Sequence, residues 1–147
     1  MKLVDTDETV VLVTGSGIAA EERDRPLAYW LKQEIDRRGA GHPYRRAVVV
    51  GDVWYLENRI FHLNPTISIG GPGANALTGE LVGQLPGVWT LEDRAFVQAD
   101  FDAEPKRACL WGMDLGATSA AVEAFMQRGH LDRLLERIWR WRTEVFV

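Results

Sequence analysis

The chain predicts an α/β fold, a single-domain three-layer sandwich with a mostly parallel sheet and an antiparallel hairpin at one edge. Three observations carry that expectation. Apolar runs at 10–13, 66–69 and 108–111 each end in a glycine-bearing loop and lead into a helix-like segment. Such strand–loop–helix punctuation belongs to parallel sheets flanked by helices. The intervening segments carry apolar residues at helical spacing, clearest in Leu27, Trp30, Leu31 and Ile35. The chain has 147 residues, 46% of them hydrophobic, which suffices for the core of one domain spanning 1–147.

In chain order, the first strand is expected at 10–14 and a helix at 21–38, where Asp24 and Pro26 suit its start and Gly39 its stop. Gly41-His42-Pro43 turns the chain into a second buried strand at 46–50, after which Asp52 is placed to cap a short helix over 53–59. Asn64-Pro65 precedes the third strand, 66–69. Leu77, Leu81 and Leu85 predict a helix that ends at Pro86-Gly87. Gly79 and Gly83 each weaken it by roughly 1 kcal/mol and suit close approach to a neighbour. Strands at 94–101 and 107–111, joined through Asp102-Ala103-Glu104-Pro105-Lys106, read as the antiparallel pair. Helices at 118–127 and 131–142 follow, the second with Leu131, Leu134, Leu135 and Ile138 in one stripe.

Composition narrows the function classes. The formal net charge is −4 and the basic residues are scattered, which argues against broad nucleic-acid binding. No stretch approaches the roughly 18 apolar residues of a membrane span, and the first residues do not read as a secretory signal. Cys109 is the single cysteine, so no internal disulfide forms, and a reducing, cytoplasmic setting fits best. His42, His62 and His130 are dispersed without metal-ligand spacing, so no metal site is expected. No cofactor is identifiable.

If the strands are parallel, their following loops collect along one rim, where open sheets bind ligands. The loop Gly70-Gly71-Pro72-Gly73-Ala74-Asn75 is the foremost candidate. Its glycines allow backbone amides to approach a ligand, and Asn75 can bond that ligand or cap the next helix. It matches neither the phosphate-loop nor the dinucleotide pattern. Gly15, Ser16 and Gly17 form a second contact surface, or an ordinary turn. Asp52 and Asp114 follow buried strands and suit ligand hydroxyls, acid–base work or helix capping, and Thr118 suits a ligand contact or a cap. The acidic run 21–24 is expected to face solvent; over the rim, it would disfavour an anionic ligand.

Three functions follow. The first is a ligand-binding or sensory domain for a nucleotide or small anionic metabolite, resembling doubly wound ligand-binding domains in outline only. The second is a hydrolase or group-transfer enzyme using Asp52 and Asp114 in the same crevice. The third is an interaction subunit, docking a protein partner or second copy through Trp139, Trp141 and Phe146, because Trp is enriched at binding hot spots. No catalytic constellation is identifiable.

Overall fold

Six strands form one mixed sheet in the order β2-β1-β3-β6-β5-β4. The computed structural model describes residues 4–145, with side chains through Trp139. The elements are β1 (Val10–Thr14), α1 (Ile18–Arg23), α2 (Arg25–Arg38), β2 (Ala47–Gly51), α3 (Asp52–Glu57), a 3-10 turn (Arg59–Leu63), β3 (Thr66–Ile69), α4 (Ala76–Leu81), β4 (Gly87–Leu91), β5 (Ala95–Asp100), β6 (Arg107–Gly112), α5 (Leu115–Gln127) and α6 (His130–Val145). Strands β2, β1, β3 and β6 are parallel, while β5 runs antiparallel to both β6 and β4. The α/β fold with a mostly parallel sheet and an antiparallel edge is therefore the observed one.

Two cores explain the three layers. Successive strand residues point to opposite faces, so Val10, Leu12, Ile67, Ile69, Leu110 and Val97 enter one core with α2, α5 and α6. Val11, Val13 and Cys109 enter the other with Tyr55, Leu77 and Leu81. The central strands β1 and β3 are buried along their whole length, which is why their runs lack polar alternation. The chain leaves β1 for β2 on one side and crosses by α3 to β3 on the other. The strand order thus reverses between β1 and β3, and the carboxyl ends of all four parallel strands share one rim.

Local differences from the sequence expectation have physical causes. The expected 21–38 helix is two helices that break at Asp24, where Pro26 at the start of α2 has no N–H to continue the ladder. Helix α4 stops at Leu81, so Gly83 lies beyond it, and a side chain there would meet open space. Strand β4 was not expected at all. It is a largely exposed edge strand joined to β5 by the three residues 92–94, with Glu92 and Asp93 both at positive φ (52° and 53°) and Arg94 N–H donating to Leu91 C=O.

The last helix closes the fold against the chain's beginning. Trp139 is 7% exposed and its indole N–H donates to Glu8 C=O at 2.8 Å, while Arg45 pairs with Glu8 and donates to Trp139 C=O. Trp139 therefore packs inward rather than presenting a free docking surface. The Trp141 side chain and Phe146 lie outside the described residues. Among the described residues, no helix is long and apolar enough to cross a membrane.

Candidate functional site

The rim loops meet, but most of the expected ligand-binding groups there are engaged by the protein itself. Asn75 sits at the reversal point between β1 and β3. Its amide donates to the C=O groups of Val13 and Ile69, both at 3.0 Å, and its carbonyl accepts from Leu77 and Thr78 N–H to cap α4. It thereby ties the two strand ends together, and its side-chain polar groups are taken up by the protein. Gly15 is buried beneath the same loop, and a Cβ there would fall 2.0 Å from the Ala74 carbonyl oxygen.

Asp52 is similarly committed. The Gly51 backbone provides the cap position, and Asp52 occupies the first turn of α3. One carboxylate oxygen accepts from the Ser16 hydroxyl at 2.5 Å and from Val53 N–H at 2.8 Å; the other accepts from Ala76 N–H at 2.8 Å. Burial pushes this carboxyl up, but the bonds from Ala76, Ser16 and Val53 outweigh it and hold the group below its ordinary range. Asp52 thus joins the β1 loop, the start of α3 and the start of α4. Gly17 precedes α1 and Gly73 lies exposed in its loop, each with open space where a side chain would project.

Asp114 caps α5 by accepting from Ala117 N–H at 2.8 Å and pairs with Arg94, and these partners hold its carboxyl below the ordinary range. Thr118 is buried, its hydroxyl donating to Asp114 C=O at 3.0 Å. Asp52 follows β2 and Asp114 follows β6, with β1 and β3 between them. Three strand spacings of about 4.8 Å separate those positions by roughly 14 Å. Asp114 lines the rim cavity described next, and Asp52 is not among its lining residues.

A cavity of about 220 Å³ remains open on the α2/α5 side of the rim. Gly71, Asp114 and Thr118 line it, together with Arg23, Asp24 and Met113. Asp24 is the residue whose role sequence reasoning missed. It stands at the start of α2, yet its side chain makes no capping bond. Its carboxylate instead lies over Gly70, where a Cβ would come within 2.6 Å of Oδ2, and only glycine tolerates both that approach and the local φ of +117°. Asp24 is 8% exposed, and no protein donor among the described residues bonds its carboxylate. Burial pushes this carboxyl above its ordinary range, against the pull of Arg23. At the end of β1, beside Ile69 and hence next to Gly70, the buried Thr14 hydroxyl also lacks a partner among the described residues. Unpaired buried polar groups are costly and uncommon; the Thr14 hydroxyl is one, and the Asp24 carboxylate, open to water only through the crevice, stands at the same rim. The sequence offers two signals, an acidic residue suited to a helix start, which reads as a cap, and the acidic run 21–24, which is expected to face solvent but whose Asp24 is buried at the rim.

Elsewhere, a shallower hollow of about 690 Å³ lies against the β4–β5 hairpin, lined by Val88, Trp89, Phe96 and Trp111. Its size exceeds that of the rim cavity, but it gathers few polar groups and none of the rim loops. Cys109 is fully buried, with its thiol pushed up to about 12 by desolvation, and is no nucleophile at neutral pH. Among the described residues, no cluster of three or more His, Cys, Asp or Glu could hold a metal ion. The fold and cavity define an α/β protein with a polar crevice at the carboxyl ends of its parallel strands. No protein-family model matches the chain, and no curated protein matches its sequence.

Proposed function

We propose that this protein is a small-molecule-binding or sensory domain whose ligand enters the rim crevice between the α1–α2 junction, the 70–75 loop and the start of α5. The supporting observation is Asp24, a residue nine-tenths buried whose carboxylate lines that crevice without a protein donor among the described residues. Keeping such a group inside the protein costs stability unless something else bonds it. The crevice is small for a drug-sized ligand, and carboxylates stand on two of its walls. Both features favour a compact neutral or cationic ligand over a nucleotide or other anion, which Asp24 and Asp114 would repel.

Gly71→Val tests this reading. A Cβ at Gly71 meets only the Gly112 carbonyl, at 3.8 Å, so the variant keeps the fold while its side chain narrows the crevice. Titrating wild-type and variant protein with a panel of small amines, alcohols and carboxylates, followed by amide NMR shifts, is expected to show wild-type shifts at Gly71, Gly112 and Leu115 that the variant loses. Unchanged binding in folded Gly71→Val protein would remove the crevice as the site.

A further inference from the structure

Resting on the crevice reading, we infer that the ligand is a small primary amine held in its protonated form, its ammonium on the Asp24 carboxylate and its apolar body against Met113 and Leu115. The chemistry of the lining selects this class. An ionised carboxylate only accepts hydrogen bonds, so the group that satisfies Asp24 must be a donor. An ammonium brings three donors and the opposite charge, whereas an alcohol brings one donor and no charge.

The opposite wall reinforces that choice. The α5 N-terminus would attract an anion, but Asp114 already occupies it, accepting from Ala117 N–H and pairing with Arg94. A ligand carboxylate or phosphate would have to displace Asp114 and would still face Asp24. Among the described residues, Arg23 supplies the only cationic side chain on the lining, and it lies exposed at the mouth, in the field of both Asp24 and Asp114.

The mouth is otherwise apolar. Met113 is 63% exposed and Leu115 39% exposed, beside Ala19 and Ala74, so a short hydrocarbon body would cover surface now in water. A bare metal ion would find too few ligands, since no cluster of three suitable side chains occurs among the described residues.

The experiment compares three probes of nearly equal shape, butylammonium, butan-1-ol and butyrate, at neutral pH. Each is titrated into wild-type protein and Asp24→Asn, with amide NMR shifts at Gly71, Gly112, Leu115 and Thr118 as the readout. Butylammonium is expected to bind wild-type protein about tenfold more tightly than either analogue. Asp24→Asn removes that preference while leaving butan-1-ol binding within about twofold, as expected when only the charged contact is lost. Butan-1-ol binding as tightly as butylammonium, or an amine affinity unchanged in Asp24→Asn, overturns the inference and leaves the crevice standing. Failure of all three probes to move the wild-type crevice amides overturns the crevice reading as well.

Discussion

Replacing Asp52 by Asn probes the rim where its polar groups converge most densely. The carboxylate accepts three protein donors, from Ser16, Val53 and Ala76, and the residue is 5% exposed. Asparagine has one carbonyl oxygen, so its NH2 must face a donor on one side whichever way the amide is turned. Hydrogen bonds to charged groups are worth about 1.5–3 kcal/mol each, but the exposed Ser16 and Ala76 can regain water after the substitution. A net loss of about 3 kcal/mol is expected in urea unfolding near pH 7. The folded carboxyl lies below its ordinary pKa, so its contribution is complete above the unfolded value near 3.9 and is lost as pH falls through the folded value. The gap between wild type and variant should therefore narrow progressively below about pH 4. A gap under about 0.5 kcal/mol at neutral pH, or one that stays constant into acid, would refute this account of Asp52.

The remaining predictions concern stability too. Asp24→Asn should stabilise the protein by about 1–2 kcal/mol near neutral pH, because it removes a largely buried charge that no protein donor bonds among the described residues. The folded Asp24 pKa is raised, so its stability contribution falls as pH rises through the folded value, and the variant's advantage should vanish in acid; urea midpoints across pH check the sign. Gly15→Ala should cost about 3 kcal/mol or more, since its Cβ meets the Ala74 carbonyl, whereas Gly73→Ala, in open space, should fall within about 0.5 kcal/mol of wild type. Both are read by urea unfolding. Replacing Glu92-Asp93 by Asn-Gly should raise stability by about 1 kcal/mol, because both positions demand positive φ; an unchanged melting temperature would count against strain in that turn.

What the sequence disclosed depended on how locally each feature is encoded. The parallel strands were legible because uninterrupted β-branched and apolar runs end at glycine. Strand β4 was not, although Val88-Trp89-Thr90-Leu91 has strand-forming residues, because Glu92-Asp93 lacks the usual Asn-Gly turn signature. Asn75 showed its capping character in its residue type, but its bonds to Val13 and Ile69 join strands 62 and 6 residues away, and the first of these appears only in the folded chain. Asp52 reads as the cap of its own helix, yet it also satisfies the first N–H of a helix 24 residues later. Asp24 was the least legible. Its sequence neighbours suggest a cap, and only the packing of Gly70 beneath it turns the carboxylate into the crevice. The rim itself was therefore readable, while the division between groups that hold it together and the group left open was not.

A crystal structure of the protein soaked with butylammonium addresses the central claim most directly. Density is expected between Asp24, Gly71 and Met113, with the nitrogen about 3 Å from the Asp24 carboxylate. Water alone in that hollow, with the amine seated instead on the β4–β5 hairpin, would contradict it.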